Sequence, residues 1–275
     1  MLHLRNLVTQ SEMLIVPSVF DSISARLSAH AGFQAAFVTS AGAEATLLAS
    51  RNYGLLSMSE RARHLRYIHE ATTLPLFVDA ESGYGNALNT FYTAQEFERS
   101  GAEAILLNDQ TVPSVSPFSF KCAVIPTEEM VGKIRAAKDA TENPDTLIGA
   151  RTDCMAANGL EEALQRIAMY HEAGADWVSI GGLAESDQFH AVAPAAKKVP
   201  LALELETASC SVDQLAALGF RILFDSSSTL FAAIEAEQKS LFRLKNGLPV
   251  TQTVNKQVLA QAFDTDTIDQ GGYAK

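Results

Sequence analysis

The sequence of 275 residues predicts an α/β fold, a (β/α)8 TIM barrel, on three observations. First, a helical stretch repeatedly closes on glycine and a short apolar run follows, in 29-AHAGFQAAFV-38, 98-ERSGAEAILL-107, 171-HEAGADWVSI-180 and 216-AALGFRILFD-225. Glycine supplies the left-handed helix cap, and an unbroken apolar run is the mark of a parallel strand covered on both faces. Second, eight strand-helix units follow one another with no linker or low-complexity break. Third, the connections are asymmetric: those leading into strands are short, whereas three of those leaving them, roughly 40–58, 80–89 and 108–126, are long. Barrel active sites occupy the loops after the strands.

The strands are expected near 13–17, 34–39, 75–79, 103–107, 146–150, 176–180, 199–203 and 221–225. The helices between them are expected near 22–31, 59–71, 90–100, 127–140, 160–173, 185–196, 212–218 and 228–246. Ser57 with Glu60 and Ser211 with Gln214 have capping-box spacing, and Thr127 precedes Glu128 and Glu129 at a positive helix end. The barrel thus takes residues 1–247 and leaves a tail, 248–275, with a short helix over 251–263. The proline- and serine-rich stretch 111-TVPSVSPFSFKCAVIP-126 has no helical period and reads as a lid.

A net charge of -11 argues against a binder of nucleic acid or of an anionic membrane, either of which would want a basic stripe, so small-molecule partners are expected. Cys122, Cys154 and Cys210 form neither a disulfide framework nor a zinc pattern, which suits a reduced, cytoplasmic setting. No apolar run approaches the ~18 residues of a membrane span, and the first residues lack a signal-peptide core.

The expected strand ends bring 38-VTSAG-42, 78-VDAE-81, 107-LNDQ-110, 150-ARTD-153, 204-ELE-206 and 225-DSSS-228 to one mouth. Asp79 and Glu81 straddle Ala80, so an extended backbone would point both carboxylates the same way. With Asn108 or Asp109 they offer oxygen ligands only, which suits Mg2+ or Mn2+ over zinc. Arg151 is placed either to grip a substrate carboxylate or to form a structural ion pair with Asp153 or Asp79. The segment 39-TSAGA-43 can present backbone amides to an anion. All six histidines fall at the chain start or on expected helices, so no Ser/His or Cys/His nucleophile system is expected, and Cys154 reads as packing.

In combination and order, 15-IVPSVFDSISARL-27, 31-AGFQAAFVTSAG-42, 75-PLFVDAESGYGN-86, 101-GAEAILLNDQ-110, 128-EEMVGKIRAAKDA-140 and 150-ARTD-153 resemble the isocitrate lyase/phosphoenolpyruvate mutase superfamily. The resemblance implies a barrel that exchanges its eighth helix between subunits of a homodimer or homotetramer, and a site for Mg2+ and a 2-oxo acid or its enolate. It implies Asp79 as the direct metal ligand and a catalytic residue, with Glu81 and Asn108 in the water-mediated metal set. Substrate would be held by Thr39, Ser40 and Ala41, the last two through their amides, by Asn108, and by Arg151, the second catalytic residue.

Three departures shape the expected activity. The loop cysteine that protonates the leaving group in isocitrate and methylisocitrate lyases falls on Ser116, and Cys122 is not the same position. Two family acids are the amides Asn52 and Asn108, and a family glutamate is replaced by Gly181-Gly182. A serine is too weak an acid for the missing thiol's task. The expectation is therefore a Mg2+-dependent lyase cleaving the C–C bond beside the carbonyl of a 2-oxo acid such as oxaloacetate, through a pyruvate enolate. The alternatives are phosphonopyruvate hydrolase or mutase chemistry, with Lys121 as the loop's cation, methylisocitrate lyase-like activity, and a non-catalytic 2-oxo-acid-binding barrel. Discrimination among substrates is expected to rest on the loop and on 204-ELE-206.

Overall fold

The structure is a computed structural model that describes residues 4–10, 12–112, 123–204, 210–249 and 256–263. Its parallel strands are β1 (Leu14–Val16), β2 (Ser18–Val19), β3 (Ala36–Val38), β4 (Leu76–Asp79), β5 (Ala104–Asn108), β6 (Leu147–Thr152), β7 (Trp177–Ile180), β8 (Leu201–Glu204) and β9 (Phe220–Phe224). The first expected strand is thus two pieces. Pro17 has no N–H to give a ladder, and the chain breaks there: β1 pairs with β9 and β2 with β3. Pro17 O accepts from Phe37 N and Val16 O from Asp225 N, so the two pieces join the first and last neighbours and close the barrel.

The helices are α1 (Leu4–Thr9), α2 (Ser22–His30), α3 (Ser40–Leu48), α4 (Met58–Ala71), α5 (Ala87–Arg99), α6 (Thr127–Ala140), α7 (Met155–Asn158), α8 (Leu160–Glu172), α9 (Ser186–Val192), α10 (Val212–Ala217), α11 (Ser228–Lys245) and α12 (Lys256–Ala262). The four junction glycines, Gly32, Gly101, Gly174 and Gly219, all have φ between 87° and 110°. At Gly101 a Cβ would also lie 2.2 Å from the His69 ring. Both capping boxes form, at Ser57 and Ser211. Thr127 is the first helical residue, with Pro126 before it, so the two acids rather than a hydroxyl cap serve that helix end.

Further elements differ from expectation, among them the short α7. The first described element is α1, whose Leu4, Leu7 and Val8 join the inward-facing residues of β1, β3, β4 and β9 in one cluster and plug the barrel floor. Arg5 pins it there, bonded to Asp176 ahead of β7 at 3.0 Å. The 40–58 connection contains α3, whose start is fixed by Thr39 Oγ1 accepting from Gly42 N at 3.0 Å. The expected helix over 185–196 is α9 followed by a 3-10 turn, Ala193–Lys197, because Pro194 cannot donate to a continuing helix. Among the described residues no helix is long and apolar enough to cross a membrane.

The barrel interior is aromatic beneath the mouth. Phe77, Trp177 and Phe224 meet with ring centroids 5.2–5.9 Å apart, and Phe37 lies 4.5 Å from Phe224. Trp177 fits because β6 carries Gly149 beside it: a Cβ there would lie 2.1 Å from the indole. Gly149→Ala is therefore expected to destabilise by about 1–3 kcal/mol through overpacking. Trp177 is the chain's single tryptophan, so its fluorescence in thermal unfolding reports the change directly; an unchanged Tm would contradict the packing account.

Candidate active site

The strand ends enclose a cavity of about 70 Å3, lined by Thr39, Ala41, Asn52, Asp79, Asn108, Gln110, Arg151, Glu204 and Ser226 over a floor of Phe37 and Leu106. β3 delivers the first of these. Thr39 spends its hydroxyl on capping α3, and the helix geometry leaves the amides of Ser40 and Ala41 without intrahelical acceptors. Ser40 Oγ donates to Asp79 Oδ2 at 2.6 Å, tying α3 to the end of β4. The sequence-predicted Thr39, Ser40, Ala41, Asp79, Asn108 and Arg151 thus all come together at one mouth.

Glu81 does not line the cavity. β4 ends at Asp79, and Glu81 adopts φ 51°, so the condition of an extended backbone fails and its carboxylate is folded inward. It is 6% exposed, and its Oε1 has no hydrogen-bond partner. Burial first, and then the adjacent Asp79 carboxylate, push its acid group up to about 8. Asp79 Oδ1 accepts from Glu81 N at 2.8 Å, and Asn108 N donates to Glu81 O at 2.7 Å, which locks the turn against β5. Gly83 follows with φ 83°, and a Cβ there would strike Thr90.

Asp109, offered by the sequence as an alternative to Asn108, is placed elsewhere. It is fully buried and faces the helices, accepting from Thr152 Oγ1 and Tyr170 OH at 2.7 Å each and from Arg166 Nη1 at 3.1 Å. Burial raises its carboxyl, opposed by the hydrogen bonds from Asp153 N, Thr152 and Tyr170. Side chains alternate along a strand, so a position next to Asn108 points away from the mouth.

Arg151 realises the ion-pair alternative with Asp153. Its Nε lies 2.9 and 3.1 Å from the two Asp153 oxygens and its Nη2 lies 2.7 Å from Oδ1. Its Nη1 pairs with Glu204 from the end of β8. Gln110 Nε2 holds the other face of Asp153 at 2.9 Å. Cys154 is buried, its thiol pushed up by burial, as suits packing.

Two residues unseen in sequence hold this geometry. Arg61 of α4 is 1% exposed and donates to the carbonyls of Val38, Thr39 and Asp79 at 3.4, 3.1 and 3.0 Å, clamping the ends of β3 and β4. Its signal was position: Arg61, Leu65 and Ile68 share one buried helix face. Glu44 of α3, fully buried, accepts from Tyr53 N at 2.9 Å and Leu55 N at 2.5 Å and so fixes the loop that carries Asn52. The expected lid lies partly outside the described residues, with Ser116, Lys121 and Cys122 among those not described; so do Leu205 and Glu206. The two ends of that connection are described and bonded: Thr111 N donates to Ala123 O and Ile125 N to Asp109 O, with Gln110 bridging Val124.

Known proteins share this arrangement of elements. The phosphoenolpyruvate phosphomutase family matches residues 4–244. The 2,3-dimethylmalate lyase of Eubacterium barkeri is 33% identical over 95% of this chain and 91% of its own length. An oxaloacetate decarboxylase of Chromohalobacter salexigens is 35% identical over 95% of this chain and 90% of its own. The crystal structure of a phosphonopyruvate hydrolase complexed with oxalate and Mg2+ superposes with a TM-score of 0.89 at 25% identity, covering 99% of this chain and 97% of that one. The chain belongs to the phosphoenolpyruvate phosphomutase family and, within the isocitrate lyase/phosphoenolpyruvate mutase superfamily, is an enzyme of the carbon-carbon lyase kind.

Proposed function

We propose that the chain is a Mg2+-dependent lyase that breaks the C–C bond beside the carbonyl of a small 2-oxo acid such as oxaloacetate, releasing a pyruvate enolate. The reading is carried by the convergence of Asp79, Asn108, Arg151 and the first turn of α3 on one small cavity. Among the described residues no three His, Cys, Asp or Glu side chains form a closed metal cage. Asp79 and Asn108 at the cavity, with the Glu81 carboxylate buried behind Asp79 and room for water, instead match the low-denticity oxygen set that Mg2+ prefers. Glu81 Oε1, buried, unpartnered and beside a second carboxylate, is an atom that a cation satisfies.

In this reading Asp79, oriented by Ser40, would hold the cation, with Glu81 and Asn108 contributing through water. A cation held there would supply positive charge to an oxygen on which negative charge develops. Arg151 pairs with the substrate carboxylate, and the Ser40 and Ala41 amides donate to the same end. Oxaloacetate with Mg2+ should yield pyruvate faster than Mg2+ alone achieves, with loss in EDTA and recovery on adding Mg2+ or Mn2+; turnover indifferent to EDTA would refute the metal dependence.

Glu81 gives cation uptake a pH dependence. Its folded acid group sits near 8 against an ordinary value of 4.5, so its contribution to stability is complete below about pH 4.5 and is lost as pH rises through 8. A cation favours the ionised form and must displace that proton. Mg2+ affinity measured by calorimetry is expected to rise about tenfold per pH unit below 8, and Glu81→Gln to flatten the profile. Equal affinities at pH 6.5 and 8.5 would contradict this.

α11 supports a homo-oligomer in which this helix is exchanged. Phe231, Ile234, Leu241, Phe242 and Leu244 are 50–66% exposed, and Leu230 is its sole buried residue. An apolar groove of about 580 Å3 runs beside it, walled by Phe20, Ile23 and Leu27 of the α2 region. Exposed patches of this kind mark interfaces. Light scattering should give a dimer or tetramer mass, reduced by Phe242→Asp.

A further inference from the structure

We infer that Glu204 is a specificity-determining residue that turns the cavity against substrates carrying a second carboxylate. The inference rests on the 2-oxo acid reading above and, within it, ranks 2-oxo acids whose far end is uncharged ahead of dicarboxylates, oxaloacetate included.

Arg151 is the one cation lining the cavity among the described residues. All three of its guanidinium nitrogens are engaged: Nε and Nη2 by Asp153, Nη1 by Glu204. The two partners are not equivalent. The Asp153 side chain is 7% exposed, and it is fixed in addition by Gln110 Nε2 and by its own backbone N–H, which donates to Asp109 Oδ1 at 2.9 Å. Its seat exists because residue 181 is glycine: a Cβ there would lie 2.0 Å from Asp153 Oδ1 and 2.8 Å from Arg151 Nη2. The Glu204 side chain is 29% exposed and lines the cavity itself.

A substrate carboxylate therefore reaches Arg151 by displacing Glu204 from Nη1, not Asp153. Displacement leaves the Glu204 carboxylate at the mouth, facing whatever the substrate carries beyond its 2-oxo acid end. A neutral or hydrogen-bond-donating fragment is accepted there; a second carboxylate meets like charge with Arg151 already neutralised by Asp153 and the first carboxylate. Like-charge juxtaposition of this kind is a standard source of discrimination.

The test uses two unreactive ligands that differ only at the far end, 2-oxopentanoate and 2-oxoglutarate, titrated into the full chain with Mg2+. Wild type is expected to bind the monocarboxylate at least about tenfold more tightly, with Glu204→Gln bringing the two within about twofold. Should that variant not fold, Glu204→Asp and the wild-type ratio in low and high salt serve instead, the ratio shrinking as salt screens the repulsion. Equal binding of the two ligands by wild type, or an unchanged ratio in a folded Glu204→Gln, overturns the inference. Binding is read without turnover, so discrimination in a chain that cleaves nothing removes the lyase reading alone, and turnover of oxaloacetate without discrimination removes this inference alone.

Discussion

Asp79→Asn is expected to lower kcat/KM by about three orders of magnitude and to abolish measurable Mg2+ uptake, while Tm moves by only a few degrees. The side chains are nearly isosteric, so an amide oxygen can keep the acceptor role toward Glu81 N, and its amide nitrogen faces Ser40 Oγ, which turns from donor to acceptor. What is lost is the negative charge. If a cation lowers the barrier by several kcal/mol, its removal costs about tenfold for each 1.36 kcal/mol. A folded Asp79→Asn that retained both cation binding and turnover would remove the metal from the proposed chemistry altogether.

Arg61→Leu carries the largest expected loss of stability, about 3–5 kcal/mol. The guanidinium is buried, with hydrogen bonds to three carbonyls at the ends of β3 and β4. Its charge also holds down the neighbouring Glu81 acid against the pull of burial and Asp79. Removing one partner from a buried charged cluster leaves the others uncompensated. Urea unfolding should show the reduced midpoint, and the same variant should bind Mg2+ more weakly at pH 7, because Glu81 then releases its proton less readily. Wild-type stability in Arg61→Leu would mean that the three carbonyls find other donors.

The barrel was legible because its signals are local. Gly32, Gly101, Gly174 and Gly219 mark helix ends by a conformation that glycine adopts easily, and the continuous apolar runs behind them need no long-range knowledge to be read as parallel strands. α3 was not legible: 39-TSAGA-43 has the composition of a loop, and its helix depends on the Thr39 cap and on Glu44 being accepted into the interior. The mouth residues were legible as a set, since they follow from the strand ends. Their orientations were not. Asp79 and Glu81 diverge because the chain turns left-handed at Glu81, and Asn108 and Asp109 diverge by strand alternation. Gln110 and Glu204 were placed at the mouth by their strand ends, but their partners, like those of Arg61, lie 18 to 53 positions away, and no spacing rule announces such pairs.

The bonded rails at the root of the 108–126 connection carry a consequence for how this scaffold diversifies. Thr111 to Ala123 and Asp109 to Ile125 are stitched by backbone hydrogen bonds alone, which read no side chain. Those bonds hold Asn108 in register beside Asp79 and Arg151 whatever side chains the connection carries, so under the proposed function substrate preference could change there without rebuilding the floor beneath.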